Sequence, residues 1–127
     1  SSISDDGLYK SISDFLLKTS REKSFVVVGR SADYILREHP RCVNIFVHAP
    51  MEECVKRITS RNDAIDEAKA AAMAKKTNKW RAEYYNFFTD KEWGNAKSYD
   101  LTLDSSLMSM EKNVELIKEY LRLRGIL

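Results

Sequence analysis

Hydrophobic positions along the chain follow two rhythms. Between Asp5 and Thr19 the residues Leu8, Ile12, Phe15 and Leu16 recur at helical steps and share one face, with Ser4 placed to cap the helix. The unbroken run Phe25-Val26-Val27-Val28 comes next. It reads as a strand buried on both faces, the habit of parallel sheets covered by helices. Helical spacing returns from Ser31 to about Glu38 and stops at His39-Pro40. Val43-Asn44-Ile45-Phe46-Val47 predicts a second strand, closed by His48-Ala49-Pro50. Pro50 suits the first turn of a helix over Met51–Arg61. The pattern breaks at Asn62-Asp63, and a long stretch from Ile65 to Phe88, alanine-rich and then aromatic, reads as a helix bent near Thr77-Asn78. Trp93-Gly94 marks a turn, Tyr99–Asp104 a third strand and Met110–Leu123 a closing helix.

Strands separated by helices imply crossover connections and a parallel sheet, hence an α/β fold. Three strands are few beside the about five or six of a typical sheet, so the sheet reads as incomplete. No repeat, low-complexity tract or linker divides the 127 residues, and one domain is expected. Composition changes little: 43% hydrophobic and 31% charged residues are those of a soluble globular protein. A net charge of +2 gives no ground for a nucleic-acid or membrane partner. No apolar run approaches the roughly 20 residues of a membrane span, and no signal peptide opens the chain. Cys42 and Cys54 are too few for a disulfide framework and lack metal-ligand spacing, so they read as reduced, partly buried thiols of a cytoplasmic protein.

Ligands of open parallel sheets bind beyond the carboxyl ends of the strands. Gly29 and Arg30 follow the first apolar run there: the glycine admits a close approach, and the planar guanidinium can grip two phosphate oxygens. The segment alone equally describes a strand capped by a surface arginine. Arg57 and Arg61, four apart, share a helix face, and by themselves read as a solvated one. Arg81 stands three residues after Asn78, and such an amide and guanidinium can together hold a sugar hydroxyl and a phosphate. Several cations converging at strand ends suit phosphoryl transfer, which asks mainly for charge neutralisation and positioning. Tyr84, Phe87 and Phe88 have core spacing, Trp93 reads as packing, His48 as structural and His39 as a surface turn. No metal site is expected, since no Cys/His cluster has zinc spacing. No serine is flanked as a nucleophile elbow, and the phosphate-loop pattern G-x-x-x-x-G-K-[ST] is absent, the four glycines lying apart at 7, 29, 94 and 125.

From about Ser24 onward the chain resembles the cytidylate kinase-like family of P-loop kinases. The segments that carry the resemblance are Val26 to Leu36, Asn44 to Ala49, Arg81 to Thr89, Trp93-Gly94 and Tyr99 to Ser106. It implies a nucleoside-monophosphate-kinase-like, parallel-sheet P-loop NTPase-like fold of three layers, here incomplete. It also implies transfer of the ATP γ-phosphoryl group to a nucleoside monophosphate of the CMP or dCMP type, with Mg2+. By position, Arg30 and Arg81 match arginines expected at the acceptor's phosphate. Ser31 stands where cytidylate kinases carry an aspartate that reads the pyrimidine, and Asn78 where an aspartate contacts the ribose. Arg57 and Arg61 resemble basic residues leading into a lid over ATP, which would span residues 62–76. The glycine-rich loop that grips the donor phosphates in the family lies ahead of the matched region, so the chain resembles the C-terminal portion of such a kinase. The partners implied are a small-molecule nucleotide and either the N-terminal segment or a second copy of the chain. The alternative is a non-catalytic nucleotide-binding or interaction module derived from such a kinase.

Overall fold

The computed structural model describes residues 2–29 and 31–127, with side chains from residue 6 onward. Among the described residues five helices and two strands follow one another: α1 (Ser2–Glu22), α2 (Ala32–Ile35), β1 (Ile45–His48), α3 (Met51–Arg61), α4 (Glu67–Thr89), β2 (Leu101–Asp104) and α5 (Met110–Leu123), with a short 3-10 turn at Ala96–Ser98 before β2. The α1 helix begins ahead of Ser4, which therefore lies inside it rather than capping it. α2 is a single turn, shorter than the spacing predicts, and the chain continues in turns towards Pro40. Helix α3 has the bounds read from the sequence, and α4 runs unbroken through Thr77-Asn78.

The sheet is smaller than expected. β1 and β2 pair in parallel, with Ile45 opposite Leu101 and His48 opposite Asp104. The pair is extended at one end by the Asn44 carbonyl, which accepts from Asp100 N–H at 2.8 Å, and at the other by the His48 carbonyl, which accepts from Ser105 N–H at 2.9 Å. A parallel pair needs a long crossover, and here α3 and α4 form it. Residues 25–28 are not a strand. Val27 packs on the core while Val26 is 95% and Val28 89% exposed, so the run alternates in and out instead of being buried on both faces. The physical reason is the absence of a neighbour: among the described residues nothing pairs with this segment or covers its outer side, and a strand is held by its ladder. The segment does not pair with β1.

Two packed regions hold the elements in place. Leu16 of α1 meets Ala32, Ile35 and Leu36, with Tyr9, Ile12, Val27 and Cys42 around them. The alanine-rich half of α4 buries Ala70 and Ala74, small side chains one turn apart that let α3 lie close. Both cysteines are free and half-buried. No helix among the described residues is long and apolar enough to cross a membrane.

Candidate functional site

A cleft of about 300 Å³ opens between the turn that leads into α2 and the second half of α4. Val28, Gly29 and Ser31 form one wall; Trp80, Arg81, Tyr84 and Tyr85 form the other, and Trp93 completes it. The turn is built on left-handed backbone. Gly29 has φ 73°, which glycine adopts freely, and Ser31 has φ 54°, which a side chain resists. Ser31 is held there because its carbonyl accepts the N–H groups of Tyr34 and Ile35, both at 3.1 Å. Its side chain is 5% exposed, and its hydroxyl has no hydrogen-bond partner among the described residues.

On the opposite wall the helical spacing of α4 stacks aromatic rings into a ladder. Trp80 and Tyr84 lie 5.4 Å apart with their planes 30° from parallel, Tyr84 and Phe88 lie 4.8 Å apart, and Phe88 stacks on Tyr9 of α1 at 4.3 Å. Tyr84 and Phe88 are half-buried in this ladder, whereas Phe87, read as core, is 69% exposed. The ladder ends at Trp80, whose exposed ring reaches the cleft. Trp93 packs edge-on against Phe46 of β1 at 5.2 Å, so it is indeed packing, but it also faces the cleft. Arg81 is the one charged residue in the described lining, is exposed, and forms no salt bridge among the described residues.

Below Arg81 the phenol of Tyr85 donates to Asp33 Oδ2 at 2.6 Å. Burial first, and then the Asp33 carboxylate, drive the Tyr85 hydroxyl well above the ordinary tyrosine range. Tyr99, whose hydroxyl accepts Gly94 N–H at 3.2 Å, is also raised by burial, with the Gly94 amide opposing the shift.

The structure thus brings Ser31 and Arg81 to one cleft. Arg30 lies outside the described residues. Asn78 sits half-buried on α4 and does not line the cleft. Arg57 and Arg61 are exposed on α3 and do not line it either. Arg57 instead reaches the carboxyl ends of the strands, where its Nη2 donates to Ser105 Oγ at 2.9 Å. Ser105 Oγ in turn donates to the His48 carbonyl at 3.3 Å. Beside it, Asp104 accepts from the Ser106 hydroxyl at 2.6 Å and the Ser106 amide at 2.9 Å, which hold its carboxyl below the usual range. His48 itself is exposed at the end of β1, its ring 6.0 Å from that of Phe46. Tyr85 and the cleft-facing sides of Trp80 and Trp93, together with Asp33 as the partner of Tyr85, carry no signal in the sequence pattern.

A profile of the cytidylate kinase-like family matches residues 1–107. The chain belongs to the cytidylate kinase-like family. Among solved structures, the chain is similar to the crystal structure of an uncharacterized protein from Eubacterium ventriosum ATCC 27560, with a TM-score of 0.82 and 29% identity over 87% of this chain. The chain covers 62% of that protein's length. No curated protein matches it.

Proposed function

We propose that this chain supplies the acceptor side of an ATP-dependent phosphotransferase that phosphorylates a nucleoside monophosphate of the CMP or dCMP type, on a P-loop NTPase-like fold. The observation that carries the proposal is the meeting of Ser31 and Arg81 across one aromatic cleft, the buried hydroxyl without a hydrogen-bond partner and the guanidinium without a salt bridge among the described residues. A planar base fits the Trp80 ring, a phosphate fits the Arg81 guanidinium, and the Ser31 hydroxyl can donate to or accept from a polar edge of the base. Arg30, between two residues of the lining in sequence, is the second cation proposed for the phosphate.

Transfer joins an acceptor phosphate oxygen to the γ-phosphorus of ATP and breaks the bond from that phosphorus to the ADP oxygen. Arg81 holds the acceptor phosphate in place and offsets charge as the group moves. Arg57 and Arg61, at the strand ends and beyond, are proposed for the donor side, with residues 62–76 as the covering lid. The described residues contain no cluster of three His, Cys, Asp or Glu side chains fit to hold a metal, so Mg2+ is assigned no ligand in this chain. Ser31 and Asn78, which stand where the family carries aspartates, favour a second reading, a module that binds nucleotide without turning it over.

Both tryptophans of the chain line the cleft, so intrinsic fluorescence reports its occupancy directly. Titration with CMP, dCMP and UMP is expected to give a saturable change. Arg81→Ala should weaken it at least about tenfold, the loss of one charged hydrogen bond. No saturable change with any of the three rules out the acceptor site. In a protein that also carries a phosphate loop, the same substitution should lower turnover at least about tenfold. An inactive parent protein that still binds CMP leaves the second reading.

A further inference from the structure

We infer that Asp33 and Tyr85 are a positioning pair that fixes the width of the cleft, holding the turn that carries Ser31 at a set distance from Arg81. The inference rests on the acceptor-site reading above. Tyr85 follows Arg81 by one helical turn on α4, so the two share a face of that helix. Asp33 follows Ser31 by two residues, inside the single turn whose amides hold the Ser31 carbonyl. The 2.6 Å bond from the Tyr85 hydroxyl to Asp33 Oδ2 therefore joins the two walls.

Both oxygens of the carboxylate are engaged, since Oδ1 accepts the Tyr34 N–H at 2.8 Å. Asp33 cannot swing without losing one bond or the other. Tyr85 is 5% exposed, so its ring is fixed by packing and the hydroxyl can meet its partner in one direction. Beneath it the Tyr99 ring lies 6.3 Å away, and the Tyr99 hydroxyl accepts the amide of Gly94, next to Trp93. The pair thus extends to the third side of the cleft. Packing alone would set a loose distance here, because α2 is one turn long and has little surface with which to grip α4. A directional bond of 2.6 Å sets a tight one.

The test measures melting temperature, acrylamide quenching of Trp80 and Trp93, and CMP titration on wild type, Tyr85→Phe, Asp33→Ala and Asp33→Asn. Tyr85→Phe removes one oxygen from a ring that stays packed. It should melt within about 6 °C of wild type, as the loss of one hydrogen bond requires. Its tryptophans should be quenched more readily, and its CMP dissociation constant should rise about fivefold or more. Asp33→Ala should match it, and Asp33→Asn, whose Oδ1 can accept the Tyr34 N–H while its amide donates to the Tyr85 hydroxyl, should recover most of the loss. The double variant Asp33→Ala/Tyr85→Phe should bind no more weakly than either single variant, because both remove the same bond. A folded Tyr85→Phe protein with wild-type quenching overturns the inference, as does additivity in the double variant. If wild type binds no CMP, the acceptor reading fails, and quenching of the ligand-free proteins still decides whether the pair sets the cleft. Should Tyr85→Phe not fold, the comparison of Asp33→Ala with Asp33→Asn decides it.

Discussion

Ser31 is held at two energetic disadvantages. A non-glycine residue in left-handed backbone is destabilised by about 1–2 kcal/mol, and a buried hydroxyl without a partner by about 1–3 kcal/mol. Such strain persists where the surroundings enforce it, and a ligand that bonds the hydroxyl relieves the second part. Ser31→Gly removes both disadvantages in the free protein. Its melting temperature should therefore rise by at least about 4 °C, since the low end of the relief, about 2 kcal/mol, less about 1 kcal/mol for the freedom glycine adds to the unfolded chain, leaves about 1 kcal/mol, while its affinity for CMP falls. A lower melting temperature with unchanged affinity would show that the serine is there for packing. The sequence singles out Arg81 by its place three residues after Asn78 on a helix and Ser31 only through the family resemblance, and the structure puts both in the cleft. Asp33 and Tyr85 were not. Their contact spans 52 residues, and an aspartate and a tyrosine on two separate helical stretches give no sign of pairing until the turn and α4 are brought together.

At the scale of elements, local signals decided what could be read. Helix α3 was bounded by Pro50 and the Asn62-Asp63 break, both written in a few adjacent residues. The start of α4 is likewise local: Asp66 Oδ1 accepts the Lys69 N–H at 2.8 Å, an N-cap placed just after the expected Ile65 boundary. Replacing such a cap with alanine costs about 1 kcal/mol. Asp66→Ala should lower the melting temperature by about 4 °C and leave CMP affinity unchanged, since Arg81 lies about 22 Å further along the helix at about 1.5 Å per residue. Fluorescence titration beside a thermal melt checks both halves. The run Phe25–Val28 was misread for the opposite reason. Its β-branched sequence declares extended backbone, but a strand also needs a partner, and no property of four residues states whether one is present. The structure keeps the extended course and the inward Val27 while leaving Val26 and Val28 in solvent.

For the whole molecule the consequence is an exposed apolar edge. Val26 and Val28, adjacent on the outward side of an extended segment, sit beside backbone groups that no ladder occupies among the described residues. Unpaired extended edges with apolar side chains are templates for pairing with another chain, and a charged residue such as lysine on the edge opposes it. The chain alone should therefore self-associate as its concentration rises, with sedimentation velocity showing a growing weight-average coefficient. Val26→Lys together with Val28→Lys should suppress the association. Because both side chains are already in water, the pair of substitutions should move the melting temperature of the dilute protein by no more than about 3 °C, as surface changes of about 0.5 kcal/mol do. Sharp loss of stability in the lysine variant would mean that the segment packs inward, and unchanged association would place the contact elsewhere. The same chain should show no phosphorylation of CMP, dCMP or UMP from labelled ATP, because its sequence contains no glycine-rich cradle for the donor phosphates. Turnover that copurifies with the chain and is lost in Arg81→Ala would overturn that expectation and assign the donor site to these residues as well.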